Sequence, residues 1–137
     1  MSTLTVSNIS NGSVSTSSTN VIQGSAKAWV NFNGYTTATI RASYNVSSVT
    51  RNAAGDYTIN FTNSFSDVNY SYVASTGQAD SGDPSASSIG LRMSPYPGDA
   101  GTTYTMTTSA IRIFARYQNF AVGGAQDSQV ICFAAFR

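Results

Sequence analysis

A chain of 137 residues is long enough to bury one self-sufficient core and fits a single domain. Charged residues make up only 9% of it, the net charge is +1, and His and Glu are absent. That composition excludes bulk electrostatic attraction to nucleic acid or an anionic membrane, and it leaves few groups for acid–base chemistry.

Ser, Thr and Asn fill 49 positions, while 8 Tyr and 7 Phe are present and Leu occurs only at Leu4 and Leu91. Helix formers are scarce and the residues that suit a pleated surface are plentiful, so the chain reads as all-β. Few charges and a near-zero net charge also mean weak repulsion between copies, which favours self-association.

Residues 1–25 read as an extended N-terminal arm, with single hydrophobes at Leu4, Val6, Ile9, Val14, Val21 and Ile22 spaced through polar sequence. Such a segment cannot offset its own ordering entropy, so a neighbouring subunit or other partner is expected to hold it. "MSTLTVSNIS" lacks a basic region followed by an apolar one, so no signal peptide is expected. The longest apolar run, "VICFAAF", is too short to span a bilayer.

From Ala26 the period becomes two, which opens the second unit, a β-domain over 26–137 with a long loop at 75–103. Ala26, Ala28, Val30 and Phe32 fall on one face, and Lys27, Trp29 and Asn31 on the other. Asn33-Gly34 predicts a tight hairpin turn. A second strand then places Ala38, Ile40, Ala42, Tyr44 and Val46 inward, with Thr39, Arg41, Ser43 and Asn45 outward. "RNAAGD" is the next turn. Tyr57, Ile59 and Phe61 point inward after it, and Val68, Tyr70, Tyr72 and Ala74 repeat the pattern.

Residues 75–103 hold all three prolines and read as a long surface loop interrupted by a short strand at "IGLRM". Next, "TSAIRIFARYQ" alternates Ile111, Ile113, Ala115 and Tyr117 against Arg112, Phe114 and Arg116. "SQVICFAAFR" is apolar on both faces, which fits a central strand or one covered by another subunit. The strand spacing predicts an antiparallel β-sandwich or barrel-like domain.

The chemistry on offer is thin. Without His there is no Ser-His-Asp or Cys-His arrangement, and zinc lacks its usual ligands. Asp80, Asp83 and Asp99 are a weak calcium candidate without a recognised loop spacing, and Asp is an ordinary turn residue. Cys132 reads as a small core residue. Arg112 and Arg116 flanking Phe114 suit a subunit contact better than nucleic acid, given the charge. Trp29 and Tyr35 either stack on sugars or cover a sheet. No catalytic or cofactor-binding residue is assigned, and no enzymatic role is expected.

"AKAWVNFNG", "IRASYNVSSVTRNAAGDYTINF" and the ending "QVICFAAFR" together resemble a module of bacteriophage virion structural proteins, of the tail-fibre or capsid-decoration type. The resemblance covers residues 26–74 and the last strand, and is weak over the arm and the 75–103 loop. "RNAAGDY" departs from Gly-richer turns such as "NGTGDY", a change that leaves a hairpin intact. The family carries no catalytic residues to transfer. What the resemblance implies is a homotrimer on the particle surface, made in the bacterial host cytoplasm.

Its expected partners are copies of itself and the major capsid protein or another virion protein. A capsid decoration protein is the first expectation, because a chain this short has no room for a fibre shaft and an anchor. A tail-fibre tip whose loop contacts a host receptor, glycan or protein, is the alternative. The expected contact residues are Leu4, Val6, Ile9, Trp29, Tyr35, Arg112, Phe114 and Arg116.

Overall fold

The structure, a computed structural model, describes residues 2–77, 89–92, 106–117 and 127–137, with backbone alone for 89–92, 116 and 117. Among the described residues, ten strands and one short helix follow in chain order. A small hairpin of β1 (Asn8–Ser10) and β2 (Ser15–Ser17) precedes α1 (Ser18–Gly24). Then come β3 (Ala26–Asn33), β4 (Thr39–Tyr44), β5 (Val46–Ala53), β6 (Asp56–Phe61) and β7 (Ser71–Thr76). The chain ends with β8 (Ile89–Arg92), β9 (Ala110–Tyr117) and β10 (Ile131–Phe136). The described residues are therefore all-β in class, with three antiparallel sheets and a single short helix.

Two sheets have four strands each, ordered β4-β3-β10-β7 and β5-β6-β9-β8. Their alternating residues meet in one hydrophobic cluster: Val30, Phe32, Ile131 and Phe133 from the first, Tyr57, Ile59, Ile111 and Ile113 from the second. Phe32 and Tyr57 meet edge to face at 5.3 Å between ring centroids, and Phe61 stacks on Phe133 at 6.4 Å. Aromatic pairs in these geometries add to what their buried area contributes. β10, apolar on both faces, is a central strand between β3 and β7, as its sequence suggests.

The sequence reading needs several corrections. The arm is not extended throughout: Asn11 Oδ1 accepts from the Ser13 and Val14 amides (3.1 and 2.9 Å), turning the chain into the β1–β2 hairpin. Ser17 caps α1 by accepting from the Asn20 amide at 3.2 Å.

The run expected as one strand over 38–46 is two strands in different sheets. Asn45 (φ 55°) breaks it, occupying a left-handed conformation that Asn tolerates. Its side-chain amide donates to the carbonyls of Lys27 and Asn63 (3.0 and 3.1 Å), fixing the crossing. Ala42 and Tyr44 are exposed rather than inward, because β4 is an edge strand carrying a bulge against β3. Val68 is exposed because regular pairing begins only at Ser71; Phe65 fills the core position instead.

Asn33-Gly34 is not a two-residue turn, since five residues separate β3 from β4 and the positive φ belongs to Thr36. Gly34 is needed for a close approach. A Cβ there would lie 2.6 Å from Tyr57 Cζ and 2.9 Å from Ile131 Cδ1. Gly34→Ala is therefore expected to cost about 2 kcal/mol through overpacking, read as a lower midpoint in a thermal melt. An unchanged melt would contradict that tight contact.

Of the loop expected over 75–103, the strand at "IGLRM" appears as β8, paired with β9. Residues 78–88 and 93–103 lie outside the described residues.

Candidate interaction surfaces

Alternation in β3 and β10 sends every second side chain to the outer face of the β4-β3-β10-β7 sheet. Register sets Tyr44 beside Trp29, Trp29 beside Ala134, and Ala134 beside Val73. This row crosses all four strands, about 14 Å at the usual strand spacing. Tyr44 is 58% exposed, Trp29 39% and Val73 60%. A second row sets Ala42, Asn31, Cys132 and Ser75 side by side. Cys132 is half-buried and faces outward, not into the core, and its sulfur accepts from Asn31 Nδ2 at 3.4 Å. A shallow hollow of about 200 Å³ between β7 and β10 is lined by Val73, Ser75, Cys132 and Ala134 among others.

The arm is the second surface. Leu4 is 85% exposed, with Val6 and Ile9 also exposed, and no residue from 2 to 25 is buried. Residues 2–25 contain no charged side chain.

The other expected contact residues behave differently. Tyr35 is exposed in the loop after β3. Arg112 donates to both oxygens of Asp56, through Nε at 2.8 Å and through Nη2, and its guanidinium sits 5.6 Å from the Phe114 ring centroid. Phe114 is 3% exposed, so it is not offered outward as expected; it also lies apart from the main hydrophobic cluster. Arg116 lies on β9. Asp80, Asp83 and Asp99 fall outside the described residues. Among the described residues no cluster of three or more metal-ligating side chains occurs.

A polar lock not read from the sequence joins three distant segments. Asp127, just before β10, accepts from Arg51 through Nε (3.0 Å) and Nη2 (2.7 Å), from the Gly55 amide (2.9 Å) and from the Tyr57 hydroxyl (2.7 Å). The Tyr57 oxygen is also 3.0 Å from the Gly34 carbonyl. Burial and the neighbouring carboxylate raise the Tyr57 pKa, so the phenol stays protonated and donates. "RNAAGDY" supplies one side of this lock, but no local pattern reveals its partner some 70 residues on.

The charged groups of this lock and of the Arg112–Asp56 pair are thus engaged within the fold, while the exposed Arg41 donates to Asn31 Oδ1 on the outer sheet face. Comparison with protein-family models, curated proteins and solved structures found no match to this chain.

Proposed function

We propose that this chain is a non-enzymatic structural protein of a bacteriophage particle exterior, a homotrimeric capsid decoration protein built as a β-sandwich. The observation that carries the reading is the contrast within one chain. A core closed by two sheets stands beside an uncharged arm that buries nothing of its own. Isolated hairpins with three-residue strands are marginal in water, so the arm's order calls for an external contact. The resemblance of residues 26–74 and of the last strand to virion modules supplies the setting, and the major capsid protein or another virion protein is the proposed anchor for the arm.

One observation favours a second reading. Trp29 and Tyr44 lie side by side and exposed on one sheet face, an arrangement that suits stacking on a sugar ring. That is the chemistry of a tail-fibre tip recognising a host glycan. Labelling the protein on intact particles and counting copies separates the two. Decoration predicts many copies spread over the head; a few copies confined to the tail would overturn it in favour of the tip.

A further inference from the structure

We infer that Asn11-Gly12, in the turn between β1 and β2, is a self-modification site where the Asn11 amide is lost to leave aspartate and its β-linked isomer. The fold shields the chain's other Asn-Gly pair, Asn33-Gly34, from the same reaction. The site is a matter of the arm's covalent chemistry and stands apart from the reading of the chain as a virion protein.

The backbone nitrogen after an asparagine can attack the side-chain amide when nothing blocks its approach, and glycine carries no side chain to do so. Gly12 adopts φ 95°, and a Cβ built there would meet nothing within 4 Å. Both residues of the pair are exposed. Asn11 Oδ1 accepts from the Ser13 and Val14 amides at 3.1 and 2.9 Å, so the side chain folds over the intervening Gly12 amide. The same two donors hold the oxygen on which negative charge develops as the nitrogen adds. The Gly12 N–H donates to Ser10 Oγ at 3.0 Å, while the Ser10 hydroxyl donates to the Val14 carbonyl at 3.1 Å. With its own proton so committed, Ser10 presents a lone pair to the Gly12 proton.

The reaction closes a ring and then opens it. The Gly12 nitrogen gives its proton to Ser10 Oγ and bonds to Asn11 Cγ. The Cγ–Nδ2 bond breaks, and Nδ2 takes up a proton and leaves as ammonia. Water then opens the resulting cyclic imide at either carbonyl. One product is aspartate; in the other the chain runs through the side-chain carboxyl.

Asn33-Gly34 has the same sequence in the opposite setting. Asn33 ends β3, half-buried and paired with Thr39. The Gly34 N–H donates to the Ser128 carbonyl at 2.9 Å, and a carbonyl, unlike a hydroxyl, has no proton of its own to pass on. Gly34 is buried against Tyr57 and Ile131, so its nitrogen cannot swing toward Asn33 Cγ without breaking a tight contact.

Residues 2–25 carry no charge, so conversion gives the arm its first carboxylate and, in the isomer, a longer backbone in the hairpin turn. On the reading of the arm as anchor, this withdraws copies that stay free for long from attachment.

The full chain, incubated for days in mildly alkaline buffer, is to be mapped by peptide mass and assayed for the β-linked isomer. Both products are expected at residue 11, formed more than about tenfold faster than at residue 33, since a misplaced nucleophile loses at least that much. In strong denaturant the two pairs are expected to convert at similar rates, because the shield at Asn33 is tertiary. Ser10→Ala is expected to slow conversion at residue 11 about tenfold, less than a positioned base usually contributes because water competes at an exposed site. Ser10→Thr, which keeps the hydroxyl, is expected to restore the rate. Equal rates at 11 and 33 in the folded chain, or no β-linked product at 11, would overturn the site. A rate unchanged in Ser10→Ala would overturn the role of Ser10 as proton acceptor. Aged chain is also expected to co-sediment with undecorated particles several-fold less than fresh chain. Equal binding overturns that consequence, whereas fresh chain that fails to bind overturns the anchor reading and leaves the site to the mass map.

Discussion

Asp127→Ala is expected to lower the melting midpoint at neutral pH by about 10 °C, the shift that about 3 kcal/mol produces in a domain of this size. The carboxylate joins Arg51, the Gly55 amide and the Tyr57 hydroxyl, so its loss strands several donors at once. Removing one partner of a buried pair costs about 3–5 kcal/mol. Arg51 keeps 27% of its side chain exposed and recovers some hydration, which favours the lower end.

The same site predicts a pH dependence. Burial pushes the Asp127 pKa up, but the bonds from Arg51, Gly55 and Tyr57 outweigh it and hold it below the usual carboxylate value. A carboxylate depressed in the folded state stabilises fully above its unfolded pKa of about 3.9. That stability is lost as pH falls through the folded value. The gap in melting midpoint between the unaltered chain and Asp127→Asn should therefore be widest at neutral pH and narrow below about pH 4. Asp67, also depressed through its bond to Arg137, acts equally in both proteins and cancels from the difference. A gap independent of pH would show that Asp127 acts only through its shape.

Deleting residues 2–25 is expected to leave a cooperatively melting β-domain while abolishing attachment to the particle and association between copies. The hydrophobic cluster begins at Ala28, and no described residue before it is buried. Ordering the arm costs roughly 1–2 kcal/mol per residue fixed, so the surface it meets must be extensive. Single changes of Leu4, Val6 or Ile9 to Asp should weaken attachment by smaller steps without moving the melt. Co-sedimentation with undecorated particles, run beside thermal melts, reads both effects. A truncated chain that binds as well as the full one shows that the arm is not the anchor. A melt that loses its cooperativity places the arm in the core.

The sheet interiors were legible because one face of each strand is buried and the other is not. That asymmetry writes a period of two into Val30 and Phe32, into Tyr57, Ile59 and Phe61, and into Ile111 and Ile113. The break at Asn45 was not legible, because the alternation runs unbroken through a residue whose role is set by backbone conformation. Gly34 looked like a turn residue; its actual constraint comes from Tyr57, 23 positions away. The Asp127 lock was hidden for the same reason, as it pairs residues 70 to 76 positions apart.

Of the expected contact residues, those in the arm and Trp29 are exposed, whereas Phe114 is buried. Alternation tells which side of a strand a residue takes, and not what covers that side. The outward neighbours of Trp29, Tyr44 and Val73, emerged only once register had set them in one row.

The solution mass of the purified full chain, measured by light scattering at micromolar concentration, bears most directly on self-association. The expected value is three times the 14.4 kDa of one chain. A mass of 14.4 kDa would contradict it.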